Sequence, residues 1–106
     1  MRIAVVSNDT IKVDDWFGNA SRFLIYEIEQ DHPSFVTERH SEPLPEEFFD
    51  QDMMDWVADI ISDCDLVFSA HIKEKPARAL KRKGITHVAY QGPIEEISLG
   101  DKMHGH

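Results

Sequence analysis

The chain reads as an α/β sandwich with a mixed five-stranded sheet and helices packed on it, and three observations predict this. Arg2-Ile3-Ala4-Val5-Val6-Ser7 is an almost continuous β-branched run, as in a strand covered on both faces. Two more strand-like runs follow with no helical period between them, and from there helix and strand alternate. At 106 residues the chain suits one core and is short for two, so a single domain is expected over residues 1–100.

Taken in order, the run from Arg2 to Ser7 is expected at the centre of the sheet. Asn8 to Asp15 is polar and reads as a loop. Phe23 to Glu29 reads as a second strand whose apolar start gives way to alternation at Glu27-Ile28-Glu29. Asp31-His32-Pro33 signals a turn, and Ser34 to His40, with Phe35 and Val36 among Thr37, Glu38 and Arg39, suits a charged sheet edge. Ser41 to Pro45 reads as a linker, with Pro45 fit for a first helical turn. Phe49, Met53, Trp56, Val57, Ile60 and Ile61 recur at helical spacing, which predicts one core-facing stripe and leaves Asp50, Asp52, Asp55 and Asp59 in solvent.

Leu66 to Ala70 is a second buried run. Pro76 then opens a short helix through Leu80, closed by Lys81-Arg82-Lys83 and Gly84, which match the helix dipole and a left-handed cap. Ile85 to Tyr90 forms the last strand, Gly92-Pro93 a turn, and Ile94 to Leu99 at most a short helix, before a polar, flexible tail at residues 101–106. Right-handed crossovers would set the first, fourth and fifth strands side by side and parallel, with the meander on the other side of the first. That is a ribonuclease-H-like, three-layer order. Ligands in such sheets collect beyond the carboxyl ends of parallel strands, here the loops Ser7 to Gly18, Ala70 to Pro76 and Gln91 to Pro93.

Composition narrows the function. Eleven basic against twenty acidic residues leave a net charge of -9, which removes the usual electrostatic source of nucleic-acid affinity. No apolar run approaches the roughly 20 residues of a membrane span, and Met1-Arg2 leads straight into a strand with no signal-peptide pattern, so a cytoplasmic protein is expected. The single cysteine, Cys64, has no partner for an internal disulfide and falls short of the several thiolates that protein-held iron-sulfur clusters use.

Two segments carry a resemblance. Val13-Asp14-Asp15-Trp16-Phe17-Gly18-Asn19-Ala20 leads into Ser21-Arg22-Phe23-Leu24-Ile25-Tyr26-Glu27, and Cys64-Asp65-Leu66-Val67 is followed by Ile72-Lys73, Pro76, Leu80 and Gly84-Ile85. These are similar, in order and spacing, to the dinitrogenase iron-molybdenum cofactor biosynthesis family, to which NifX, NafY and the C-terminal domain of NifB belong. Its first segment usually reads His-Phe-Gly-x-Ala and ends near Ile-Tyr-Glu; its second reads Cys-Asp-x-Val, then Ile-Gly, Pro, Leu and Gly-Ile. Trp16 stands here in place of the histidine and Lys73 in place of the glycine.

The resemblance implies the same fold and a binding role rather than turnover. Family members bind or carry iron-sulfur precursors of the nitrogenase cofactor, and a related protein holds a molybdenum-copper-sulfur cluster noncovalently. It therefore implies an iron-sulfur or iron-molybdenum-type cluster as cofactor, and a cluster-assembly or acceptor protein as partner. The implied binding residues are Asn8, Asp15, Trp16, Phe17 and Gly18 on the first loop and His71, Lys73 and Lys75 on the second. Lys73, Lys75 and a helix start suit an anionic cluster. His71 is the candidate metal ligand, because imidazole suits iron and its neighbours, while Trp16 offers a wall and one indole N–H.

Each residue also has a structural reading: His71 as a polar loop residue, Trp16 as packing beneath the loop, Lys73 and Lys75 as solvated cations, Cys64 as a small buried hydrophobe. His104-Gly105-His106 reads as a weak divalent-ion chelator or a frayed tail. Two other classes stand beside the carrier. Asp9, Asp14 and Asp15 would serve a metal-dependent hydrolase on a ribonuclease-H-like fold, though all three lie in one loop. The edge run Ser34 to His40 would serve a protein-protein adaptor that does not bind a cluster.

Overall fold

The β-branched N-terminal run forms the central strand of a mixed sheet in the computed structural model, which describes residues 1–30, 32–41 and 50–97. In chain order the elements are β1 (Arg2–Val6), β2 (Lys12–Val13), β3 (Arg22–Glu29), β4 (His32–His40), α1 (Gln51–Asp59), β5 (Leu66–Ser69), α2 (Glu74–Arg82), β6 (Thr86–Ala89) and β7 (Gly92–Pro93). The five-stranded sheet has the order β4-β3-β1-β5-β6. β3 and β4 run as an antiparallel meander on one side of β1, with Ala4 opposite Ile25. β5 and β6 extend the other side in parallel, with Ala4 opposite Val67 and Val67 opposite His87. The expected neighbours of the first strand and the expected edge strand are therefore found.

Strand alternation divides the core into two layers. On one side Ala4, Val6, Phe23, Ile25 and Val67 meet Met54, Val57, Ala58 and Ile61 from the α1 region and Ala79 and Leu80 from α2. On the other, Ile3, Val5, Leu24, Leu66 and Phe68 meet Val13, Ile94 and Ile97. Both helices thus lie on one side. Among the described residues the opposite cover is the β2–β7 ribbon and a 3-10 turn at Ile94–Glu96, so a second helical layer is not seen there.

Several boundaries differ from expectation. The Asp31-His32-Pro33 turn gives way to strand from His32, because Glu29 already pairs with His32 and the reversal falls just before it, where Gln30 takes a left-handed φ of 53°. Gly92-Pro93 is no simple turn. It pairs with Lys12–Val13, which converts part of the expected Asn8 to Asp15 loop into a short ribbon. α2 spans a turn more than the sequence indicates, with Pro76 third in the helix, where its missing N–H removes no intrahelical bond. Gly84 adopts φ 75°, the left-handed cap expected after the basic run. Pro45, Phe49 and the tail at 101–106 lie outside the described residues.

The apolar stripe of α1 is corrected in part: Val57 and Ile61 are buried as expected, and Met53 and Trp56 are not. Asp50 is exposed as expected, and it serves as the N-cap, its carboxylate accepting the Met53 N–H at 2.9 Å. The buried face is Met54, Val57, Ala58 and Ile61, whereas Met53 and Trp56 are 40% and 58% exposed. The sequence carries two adjacent apolar rows, 53/56/60 and 54/57/58/61, and only about 100° of a helix faces a sheet. Ala58 is fully buried in the second row, where its small side chain suits close approach to the sheet.

Far from the carboxyl ends of the parallel strands, Asp63 joins the edge of the sheet to its centre. It accepts two bonds from the Arg39 guanidinium, at 2.5 and 2.8 Å, and one from Arg2 at 2.9 Å. Those cations hold its carboxyl well below the usual carboxylate range. Next to it Cys64 is buried, and loss of solvation pushes its thiol up to about 12, which makes it an inert core residue.

Two stability predictions follow from this packing. Met54→Ala should cost about 2–5 kcal/mol in denaturant titration, while Met53→Ala and Trp56→Ala stay within about 1 kcal/mol; the reverse order would restore the stripe read from sequence. Asp63 titrates lower folded than unfolded, so its contribution is complete above the unfolded value and is lost as pH falls through the folded one. Asp63→Asn should therefore cost about 1 kcal/mol at neutral pH, allowing for solvent screening of this half-exposed group, with the gap to wild type closing steadily below about pH 4.

Candidate functional site

Beyond the carboxyl ends of β1 and β5 the chain leaves the sheet in two loops, and backbone pairing joins them. The Ala70 N–H donates to the Asp15 carbonyl at 2.8 Å and the Phe17 N–H to the His71 carbonyl at 3.1 Å. Trp16 and His71 thus form a parallel bridge. Their rings lie 4.8 Å apart at 52°, and the Lys73 ammonium sits 4.6 Å from the centroid of the indole. Trp16 is 39% exposed and His71 is exposed, so an imidazole and an indole face solvent together beside the half-buried Lys73.

The other residues expected at the site support it from below or beside. Phe17 is fully buried with its ring 5.5 Å from that of Phe23, and Gly18 is buried next to it. Asn8 is exposed and donates from Nδ2 to the Asp15 carboxylate at 2.9 Å, whose other oxygen accepts the Trp16 N–H at 2.8 Å. Lys75 is exposed in the first turn of α2, and its carbonyl accepts a bond from the Gln51 side chain at 3.0 Å. Asn8, Asp15, Trp16, His71 and Lys73 form one connected set, with Lys75 two residues further along the second loop. The third expected loop is occupied by the pairing of β7 with β2.

Loop acids are committed to backbone. Asp9 Oδ1 accepts the N–H groups of Ile11 and Lys12 at 2.9 and 3.0 Å, bonds that hold its carboxyl below the usual range. Asp14 accepts the Asn8 N–H at 2.9 Å. They shape the loop in the manner of Asx turns, and among the described residues no three His, Cys, Asp or Glu side chains are grouped as a metal would need. The donor set expected of a two-metal hydrolase is therefore not assembled here.

Sequence reading missed three residues. Arg22 reaches back from the start of β3 and donates to the Asn8 carbonyl at 2.7 Å, pinning the first loop, while its other nitrogen pairs with Glu38. Ser69 and His87 lie under the second loop with Oγ and Nε2 2.6 Å apart. Ser69 sits at the end of an apolar run, and its contact with a histidine 18 residues later follows from a parallel register that no local pattern encodes. A cavity of about 290 Å³ lies elsewhere, against the helix-free side of the sheet, lined by Thr10, Ile11, Tyr26, Pro33, Ile94 and Glu95.

The zipped loops thus present two exposed rings beside a cation, with the nearby acids used as loop scaffolding. Comparison with known proteins gives the family of the chain. Residues 1–98 match the family model described as dinitrogenase iron-molybdenum cofactor, and the chain belongs to that family. Protein NifY of Azotobacter vinelandii is 30% identical over 99 residues, which are 92% of this chain. The chain spans only 40% of the length of that relative. Among solved structures, the crystal structure of PH0822 superposes with a TM-score of 0.71 at 20% identity, over 99% of this chain and 92% of that one. The apo form of the orange protein from Desulfovibrio gigas gives 0.59 at 16% identity, over 98% and 88%. At such identities the two structures speak for the fold alone. Among the described residues no helix is long and apolar enough to cross a membrane.

Proposed function

We propose that this protein receives, holds or hands over a metal-sulfur cluster, of iron-sulfur or iron-molybdenum type, during nitrogenase cofactor assembly, with the cluster lying against the loops beyond β1 and β5. The observation that carries this reading is the convergence of Trp16, His71 and Lys73. A bare metal ion asks for several protein ligands, and the loops offer one exposed imidazole. A preassembled cluster brings its own sulfides and asks only for a ligand, a wall and positive charge. His71 supplies the first as a neutral imidazole, Trp16 the second, and Lys73, Lys75 and the start of α2 the third, against the net charge of -9 on the chain.

The strand order β4-β3-β1-β5-β6 supports classing the fold as ribonuclease-H-like. A single cofactor-binding domain, a cytoplasmic setting and a partner that supplies or accepts the cluster belong to the same proposal. The edge strand β4, with Phe35 and Val36 exposed, favours a second reading as a protein-protein adaptor.

Anaerobic mixing with a synthetic iron-molybdenum-sulfur cluster should give a coloured complex that survives gel filtration, with short single-stranded oligonucleotides neither bound nor cut. Absence of colour in the protein fraction would hand the case to the adaptor. In the same assay His71→Ala should lower affinity at least about tenfold, on the order of 1.4 kcal/mol, by removing a metal bond. Retained affinity in folded His71→Ala would rule out the ligand role. Lys73→Gly restores the residue common in the family: if the ammonium does the work, affinity should fall by about tenfold or less and its salt dependence should weaken.

A further inference from the structure

Beneath the two loops lies a hydrogen-bonded chain that touches no solvent-facing part of the site. Ser69 is fully buried at the end of β5, and its Oγ is 3.0 Å from the His71 carbonyl and 2.6 Å from His87 Nε2 on β6. A hydroxyl has one proton and a carbonyl can only accept. If that proton pointed at His87, the Ser69 oxygen and the His71 carbonyl would face each other as two acceptors. The proton therefore goes to the carbonyl, and His87 carries its proton on Nε2 and donates to Ser69. The same His71 carbonyl accepts the Phe17 N–H at 3.1 Å, so both of its acceptor sites are used.

We infer that His87 and Ser69 are positioning residues for the Trp16–His71 pair. They fix the His71 carbonyl through side chains, and that carbonyl fixes the backbone amide next to Trp16. His87 acts from a strand two positions from the central one, and neither residue reaches the cluster face. Burial of Ser69 removes it from any substrate, so the Ser-His contact is not a nucleophile with its base. Burial also lowers the pKa of the half-buried His87, consistent with a neutral ring whose one N–H is assigned by the Ser69 contact.

The assignment of cargo rests on the proposed function, but the positioning is measurable without cargo. Trp56→Phe leaves Trp16 as the one tryptophan, and Trp56 is exposed, so the core is untouched. In that background Ser69→Ala and His87→Leu should each speed exchange of the Phe17 amide at least about tenfold and shift the Trp16 emission, with Ala4 and Val5 amides unchanged as the control for folding. His87→Gln keeps a side-chain N–H donor and should keep Phe17 protection within about threefold of the parent. Unchanged Phe17 exchange in His87→Leu, or equal behaviour of the Gln and Leu variants, would overturn the inference, because simple packing does not distinguish a donor from its absence. Uptake of the synthetic iron-molybdenum-sulfur cluster is read separately. No uptake by the parent, together with the expected exchange pattern, would sink the carrier reading and leave the positioning role intact.

Discussion

β1 has no face to give to water. Ile3, Ala4 and Val5 are wholly buried and Val6 nearly so, which requires cover on both sides of the sheet and strands on both edges of β1. Its neighbours follow from that demand: the β3–β4 meander on one edge, β5 and β6 on the other, helices over Ala4 and Val6, and the ribbon with Ile94 and Ile97 over Ile3 and Val5. Polar groups are pushed to the strand ends. At the carboxyl end the first of them is Ser7, buried, whose Oγ accepts the Thr10 N–H at 3.0 Å and so starts the loop that returns through Asp15 to Trp16.

That return path makes the site a product of two different kinds of force. The loop is shaped by short-range bonds, Asp9 and Asp14 to backbone N–H groups and Arg22 to the Asn8 carbonyl, while Phe17 anchors it by burial against Phe23. What then fixes it against the second loop is pairing with Ala70 and His71, a continuation of the β5 backbone beyond the sheet. A loop held at both levels keeps its exposed rings in place with little ordering left to do on binding, which is how preorganisation spares affinity.

The parts of this arrangement that could be read from sequence are those governed by local pattern. Continuous β-branched runs announce buried strands, Gly84 after a basic run announces a helix end, and the charged run ending at His40 announces an edge. The α1 face was not legible, because Met53 and Trp56 complete a helical row as regular as that of Met54, Val57 and Ile61, and hydrophobicity alone does not rank two rows. The β2–β7 ribbon was not legible either, since two residues on each side carry no period. At the site, Trp16, His71 and Lys73 were reachable through the resemblance, but their meeting depends on tertiary pairing. Ser69 and His87 depend on register, which one sequence does not print.

Charge bookkeeping gives the site its character. In a chain of net charge -9 most cations described are drawn to acids of the scaffold: Arg2 and Arg39 to Asp63, Arg22 to Glu38, Arg78 to Glu74, Arg82 to Asp55 and Lys83 to Asp59. Lys73 differs in that its ammonium is also held over an aromatic face. A cation–π contact attracts without itself neutralising, since the ring carries a quadrupole and no net charge. On an acidic protein, attraction for an anionic ligand has to come from such a local contact and not from the molecule as a whole, which repels it. Trp16 in place of the histidine common in the family, and Lys73 in place of glycine, are therefore read together: the indole seats the cation that the lysine brings.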